Sequence, residues 1–227
     1  FYLIKERRIP LIFSSSATIY GDADLVPIKE NAPFKEAFSP YGKTKQICEH
    51  IIRDITITDS SIKSVILRYF NPIGAHSSSL IGELPNGEPQ NLIPFITQTL
   101  IGKRNELMVF GNDYPTKDGT CIRDYIHVMD LAEAHIKSLE YISDSKNENN
   151  FEVFNIGTGK GHSVLEIINV FEKVAKKKIK YSISSRRKGD VAVSYADCSK
   201  AREILKWTSK FSLEDSISSS WKWEKNN

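Results

Sequence analysis

Tyr41 and Lys45 are the residues of this 227-residue chain with the clearest chemical potential. They stand four apart just after Ser39-Pro40, so on a helix they project from one face. A tyrosine hydroxyl titrates at about 10 and is a poor base at neutral pH. An ammonium one turn away favours the phenolate, and a second cation in a poorly hydrated cleft favours it further. Reaching a pKa of about 7 requires roughly 4 kcal/mol, at about 1.36 kcal/mol per unit. A surface tyrosine beside a solvated lysine has the same spacing, so the pair takes its meaning from its surroundings. A third candidate, Ser16, closes the polar run Ser14-Ser15-Ser16 after the apolar Leu11-Ile12-Phe13.

The elements that must position these groups can be read from periodicity. Leu11–Phe13 reads as a buried strand feeding a polar loop. Pro40 opens a helix to about Ile57, with Ile47, Ile51, Ile52 and Ile55 spaced to face a sheet. Val65-Ile66-Leu67 is a second buried strand, running into Arg68-Tyr69-Phe70-Asn71-Pro72. Strand, helix and strand with continuous apolar strands predict parallel α/β units. Loop-like sequence covers about Ala75 to Asn91, followed by a helix (Leu92 to Ile101) and a strand (Leu107 to Phe110). Asp130 begins a helix to about Ile142, and residues 146–150 form a polar loop. Phe151 to Ile156 is a strand stopping at Gly157, Gly159 and Gly161. Those glycines have the wrong spacing for a dinucleotide fingerprint. Ser163–Glu166 is a capping box, with Ile167, Val170, Phe171 and Val174 as the stripe of the helix it starts. Ser212–Asp215 caps a last helix ending near Trp221 and Trp223. Lys176–Lys180 reads as a solvated helix end that complements the helix dipole.

Bulk composition excludes more than it identifies. Hydrophobic residues are 40% and charged residues 26%, ordinary for a globular protein. A net charge of +3 gives no reason to expect nucleic acid or an anionic membrane as partner. No apolar run reaches the roughly 20 residues needed to span a bilayer. Cys48, Cys121 and Cys198 lack paired or metal-type spacing, so free thiols in a reducing compartment are expected. His76, His127 and His162 are isolated, and no metal site is expected. The start, Phe1-Tyr2-Leu3-Ile4-Lys5, is not a signal peptide and lacks an initiator Met, which reads as a start partway through a domain.

Longer motifs supply the missing surroundings. Phe13-Ser-Ser-Ser-Ala-Thr-Ile-Tyr-Gly21, Ser39-Pro-Tyr-Gly-Lys-Thr-Lys45, Arg68-Tyr-Phe-Asn-Pro-Ile-Gly-Ala-His76 and Asn91-Leu-Ile-Pro94 come first. Phe110-Gly-Asn-Asp-Tyr-Pro-Thr116, Asp118-Gly-Thr, Arg123-Asp-Tyr-Ile-His-Val128, Asn155-Ile-Gly-Thr-Gly and Arg186-Arg-Lys-Gly-Asp190 follow. In this order the chain resembles the extended short-chain dehydrogenase/reductases and, more narrowly, the UDP-glucose 4-epimerases, over essentially its whole length. The resemblance implies an α/β fold: part of a doubly wound Rossmann-type NAD-binding sheet, its first strands missing, plus a smaller α/β substrate-binding domain. The expected division is 1–75 for the cofactor side and 76–227 mainly for the UDP-sugar side, with about 124–160 crossing back.

The resemblance also implies roles. Tyr41 matches the catalytic base, Lys45 the residue that binds the nicotinamide ribose and lowers the tyrosine pKa, and Ser16 the hydroxyl that bonds the reacting sugar oxygen. Ser14, Tyr69 and Phe70, with Ser16, Tyr41 and Lys45, match the NAD site. Asn71, Asn91, Leu92, Phe110, Arg123, Tyr125, Arg187 and Asp190 match the UDP and sugar pocket, and Ala17 and Thr18 follow Ser16 there. The implied reaction oxidises the sugar at C4, turns the 4-keto sugar and reduces its other face, on one tightly held NAD. Sugar-nucleotide dehydratases of the superfamily place an Asp-Glu pair where this chain has Ala17 and Thr18, and decarboxylating relatives a Glu at the Thr18 position. Elimination and decarboxylation are therefore disfavoured. Ser194 matches a position where a bulky tyrosine restricts substrates to UDP-glucose and UDP-galactose, so N-acetylated sugars are expected to be accepted, with Tyr195 the bulkier neighbour.

The glycine-rich turn that seats the pyrophosphate is expected before Phe1, as are the first strands and the acidic residue for the adenosine ribose. Residues 1–227 alone are expected to bind NAD poorly and to be inactive. The alternatives are a non-catalytic, truncated UDP-sugar-binding module or another nucleotide-sugar-modifying enzyme of the extended short-chain dehydrogenase/reductases. A cytoplasmic setting and, at full length, a homodimer are expected.

Overall fold

The computed structural model describes residues 2–144, 147 and 149–227. In chain order come α1 (Tyr2–Arg7), β1 (Leu11–Ser16), a 3-10 turn (Ala17–Tyr20), α2 (Pro40–Thr58), β2 (Ser64–Tyr69) and β3 (Asn71–Ile73). They are followed by α3 (Leu92–Leu100), β4 (Leu107–Phe110), β5 (Ile122–Arg123), β6 (Tyr125–His127), α4 (Val128–Ser143) and β7 (Phe151–Ile156). The chain ends with β8 (His162–Ser163), α5 (Val164–Ala175), β9 (Tyr181–Ser184), β10 (Val193–Ser194), α6 (Ser199–Ile204) and α7 (Leu213–Asn226).

The framework under the candidate residues is a parallel sheet in the order β1-β2-β7. Its middle strand, Ser-Val-Ile-Leu-Arg-Tyr, has Val65, Ile66 and Leu67 fully buried, as a strand covered on both faces requires. On one face Val65 and Leu67 pack with Leu131, Ala134 and Ile142 of α4, Phe154 and Ile156 of β7, and Ala201, Leu205 and Trp207. Each such large apolar side chain contributes about 1.5–3 kcal/mol when fully buried. The opposite face carries α2.

α2 begins as expected, with Ser39 Oγ accepting from Gly42 N at 3.1 Å and Pro40 in the first turn. Its buried face departs from the isoleucine stripe. Ile52 is buried, but Ile47 and Ile51 are 48% and 45% exposed, and the sheet side is Gly42, Gln46, Glu49, Ile52 and Thr56. The strands explain the rotation, because this face of the sheet carries Ser15 and Arg68. Arg68 Nη2 lies 2.7 Å from Glu49 Oε2, its Nε lies 3.1 Å from Glu49 Oε1, and Ser15 Oγ also bonds Glu49. Gln46 Nε2 donates to the Ile19 and Lys35 carbonyls at 2.9 and 2.6 Å. A buried guanidinium left unpaired is far more costly than two exposed isoleucines, so polar matching overrides the apolar pattern.

A second core joins α3, α5 and α7 to the two-stranded parallel pairs β3-β6 and β4-β9, through Ile93, Ile96, Leu107, Val109, Ile167, Phe171 and Ile217. α5 carries the expected capping box of Ser163 and Glu166, and Ser212 with Asp215 makes another on α7, which runs past Trp221 and Trp223 to Asn226. α4 starts at Val128, two residues before the expected Asp130, because His127 Nδ1 accepts from Met129 N at 3.0 Å. Histidine lies outside the usual N-cap set, which hides this start in the sequence. Asn71-Pro72, at the end of the run that follows β2, is the start of β3. α1, which buries no side chain, was not anticipated. Part of the expected loop 146–150 lies outside the described residues.

Candidate active site

The C-terminal end of β1, the adjoining end of β2 and the first turns of α2 form an open ledge. Lys45 Nζ crosses from α2 to the Ser14 carbonyl at 2.7 Å. It stands 5.5 Å from the centre of the Tyr41 ring and 4.9 Å from that of Phe13. An ammonium has three donors, so the bond to Ser14 leaves others for a ligand. Tyr41 is 55% exposed. Ser16 is nearly buried, and its Oγ accepts from Thr18 N at 3.2 Å and Thr18 Oγ1 at 3.0 Å, leaving its own hydrogen for another acceptor. The Tyr69 hydroxyl lies 2.5 Å from Ser14 Oγ and 2.6 Å from His135 Nε2. Burial pushes the Tyr69 pKa up and neighbouring Tyr41 acts in the same direction, against the bond to Ser14.

Beside the ledge a cavity of about 620 Å³ is lined by Ser16, Ala17, Thr18, Tyr69, Phe70 and Ser194. A neighbouring one of about 280 Å³ is lined by Asn91, Leu92, Phe110 and Tyr125. Asn71, Gln90, Arg123, Arg187 and Asp190 line both, so the two volumes meet at the arginines. Arg187 grips Asp190 through Nε (2.9 Å) and Nη2 (3.3 Å), while Arg123 Nη2 comes within 3.8 Å of the same carboxylate. One carboxylate therefore spaces two guanidiniums and leaves an excess positive charge, a setting for phosphate oxygens. The Arg187 guanidinium also lies 5.1 Å from the centre of the Phe110 ring. Tyr125 is held neutral, its pKa pushed up to about 12 by burial.

Asp124 decides why Arg123 and Tyr125 sit where they do. Fully buried, its carboxylate accepts from Thr158 N (2.8 Å), Thr158 Oγ1 (2.6 Å), Gly159 N (3.0 Å) and Ala196 N (3.2 Å). Burial raises its pKa while these donors oppose the rise. This gives the glycines after β7 their reason. A Cβ at Gly157 would stand 2.4 Å from Asp124 Oδ2, and Gly159 has φ +75°. Their turn wraps a side chain of the same protein. Further along, Ser194 lines the larger cavity, while Tyr195 packs toward Gly161, where an added Cβ would lie 3.2 Å from its ring.

The structure thus brings the implied sugar and nucleotide residues around two joined cavities. Ser14, Tyr41 and Lys45 line neither and stand on the ledge next to Ser16 and Tyr69. Phe70 is mostly buried against Ile19, Tyr20, Ile28 and Ala196. Sequence reasoning missed Gln90, shared by both cavities, and Cys121 and Met108, which line the smaller one. Gln90 adjoins Asn91, the only signal available. The three cysteines are free. Among the described residues no group of three or more His, Cys, Asp or Glu is placed to hold a metal, and no helix is long and apolar enough to cross a membrane.

A family model described as GDP-mannose 4,6 dehydratase matches residues 3–220. The UDP-glucose 4-epimerase of Bacillus subtilis is 49% identical over 217 residues, a match covering 96% of this chain and 63% of that protein. The fold superposes with a TM-score of 0.94 on the UDP-glucose-4-epimerase of Stenotrophomonas maltophila with bound NAD and formylated UDP-arabinopyranose, at 45% identity, covering 98% of this chain and 66% of that one. The Bifidobacterium longum UDP-glucose 4-epimerase in complex with NAD+ and UDP also gives 0.94, at 44% identity, covering 100% and 67%. The chain spans slightly less than two thirds of the length of the curated relatives it matches.

Proposed function

The chain belongs to the family described as GDP-mannose 4,6 dehydratase, and from that premise we propose that it forms the catalytic and sugar-nucleotide-binding part of an NAD-dependent UDP-hexose 4-epimerase. The observation that carries this reading is the meeting of Tyr41, Lys45 and Ser16 at the end of a parallel sheet beside a cavity with two arginines. Ala17 and Thr18 add to it, since neither side chain can supply the acid and base that an elimination needs.

The donor set of the ledge fits the nicotinamide end of a dinucleotide. The unengaged donors of Lys45 suit a ribose diol, and Tyr41, Ser14, Tyr69 and Phe70 would flank the ring. When bound, NAD would supply the acceptance and return of hydride at C4 of the sugar. The chain's residues would handle the proton and the positioning. Tyr41 oxygen would take the proton of the sugar 4-hydroxyl, directly or through Ser16, with Lys45 holding the phenolate. Arg123 and Arg187, spaced by Asp190, would anchor the diphosphate, while Phe110, Asn91, Leu92 and Tyr125 would line the nucleoside end. Asn71 and Ser194 would border the hexose. Firm anchoring at the arginines and a roomy sugar cavity are what a hexose needs to present either face. On this reading residues 1–75, with about 124–160, serve the cofactor and most of 76–227 the UDP-sugar. A cytoplasmic homodimer at full length belongs to the same proposal.

The full-length protein is expected to interconvert UDP-galactose and UDP-glucose in a coupled assay. UDP binding without turnover would instead favour a non-catalytic module. Because Ser194 rather than Tyr195 borders the larger cavity, UDP-N-acetylglucosamine is proposed as a second substrate. Ser194→Tyr should remove that activity selectively and spare UDP-galactose. No N-acetyl turnover by the unsubstituted enzyme sinks this part.

A further inference from the structure

We infer that Glu83, which lies outside the smaller cavity, is a positioning residue that fixes the amide of Asn91 so that Asn91 Oδ1 meets a hydrogen-bond donor of the sugar nucleotide. The inference rests on the reading of the joined cavities as a UDP-sugar site. Its basis is the bond from Asn91 Nδ2 to Glu83 Oε1 at 2.7 Å, made by the residue that precedes α3.

Asn91 occupies the N-cap position of α3. An asparagine there ordinarily turns its side-chain oxygen back to the N–H of the second or third helical residue. Asn91 makes no such bond. The third helical residue is Pro94, which has no N–H, so one of the two usual partners is missing. The side chain reaches Glu83 instead. A carboxylate accepts and an amide nitrogen donates, so a flipped amide would set two acceptors against each other. Glu83 is itself tied down from α7. Trp223 Nε1 donates to the Glu83 carbonyl at 3.1 Å, and Gly82 packs on the same indole, where an added Cβ would stand 2.3 Å from the ring. Asn91 lines the smaller cavity and Glu83 does not. With Nδ2 drawn out to Glu83, Oδ1 is the end of the amide left for the cavity, and among the described residues no hydrogen bond engages it. The division of labour is then complementary to a nucleotide. Arg123 and Arg187 suit the acceptor-rich phosphates, and Asn91 Oδ1 takes an O–H or N–H of the uridine or the hexose. Without Glu83 the amide is free to turn Nδ2 toward the cavity or to close on the Ile93 N–H, and that match is lost.

Two measurements on the full-length protein decide this. In the ligand-free protein, the Asn91 side-chain amide signals should shift in Glu83→Ala and stay near their original positions in Glu83→Gln, which keeps an acceptor. In calorimetry Glu83→Ala should bind UDP-galactose roughly fivefold more weakly, as expected for one misdirected neutral hydrogen bond, and Glu83→Gln should recover most of that loss. In an Asn91→Ala background Glu83→Ala should have little further effect, because its route to the ligand has gone. UDP locates the donor. Equal weakening of UDP and UDP-galactose assigns it to the uridine, and weakening of UDP-galactose alone assigns it to the hexose. Unchanged affinity for both ligands in Glu83→Ala, a loss that Glu83→Gln does not relieve, or effects of Glu83→Ala and Asn91→Ala that add in full overturns the inference. If the protein binds neither ligand, the proposed function fails and so does the role toward a ligand. The amide signals then still decide whether Glu83 holds Asn91.

Discussion

The ledge and the cavities beside it treat polar groups in opposite ways. On the ledge Tyr41 is 55% exposed, and among the described residues Lys45 makes one hydrogen bond, to a backbone carbonyl. In the cavities Arg187 is chelated by Asp190, Arg123 approaches the same carboxylate, and Tyr125 is buried. On the proposed function the difference separates two tasks. Groups that must change protonation state need unengaged donors and acceptors, whereas groups that grip a fixed anion gain from being preset before it arrives. Rigidity for the ledge comes from below, through Glu49 and Arg68, rather than from bonds among Tyr41, Lys45 and Ser16.

The sharpest way to break this comparison is Tyr41→Phe in the full-length protein. If the ledge carries the chemistry, turnover of UDP-galactose should fall by roughly 10²–10⁴-fold with little change in KM. A loss confined to KM would move Tyr41 to the gripping side. Next in size, Glu49→Ala leaves Arg68 buried without its carboxylate and should destabilise the fold by about 3–5 kcal/mol, read by denaturant unfolding. An unchanged midpoint would mean that the support under the ledge lies elsewhere. Arg187→Ala should lower UDP affinity by about tenfold in calorimetry, because a charge-assisted contact at a half-exposed site is lost. Single-turnover rates at saturating substrate should change much less, and a drop matching that of Tyr41→Phe would erase the distinction.

The smallest effect concerns pH. Burial holds the His127 pKa below its ordinary value. The neutral ring also caps α4 through Nδ1 and contacts Ser219 Oγ through Nε2 at 3.1 Å. Since the folded pKa is lowered, this contribution is complete above the unfolded value of about 6.5 and is lost as pH falls through the folded one. Stability should decline on acidification from pH 7 to 5 by up to about 1 kcal/mol, the scale of an N-cap. His127→Asn should flatten that segment of the melting-temperature profile, and an unaltered profile would discard the cap as the cause.

Local chemistry made much of this molecule legible in its sequence. Pro40 after Ser39, the Ser163–Glu166 box and the apolar runs of β1, β2 and β7 are signals within a few residues of one another, and each forms the expected element. The ordered motifs likewise named the residues around the cavities. Tertiary structure alone decided which face of α2 meets the sheet, because Glu49 answers Arg68 nineteen residues away and outweighs Ile47 and Ile51. It also decided that Gly157 and Gly159 enclose Asp124, that Ser194 and not Tyr195 borders the larger cavity, and that His135 reaches Ser14 through Tyr69. Propensity and spacing act between neighbours in sequence. The pairing of buried polar groups is settled only when distant strands and helices bring their partners within hydrogen-bond reach.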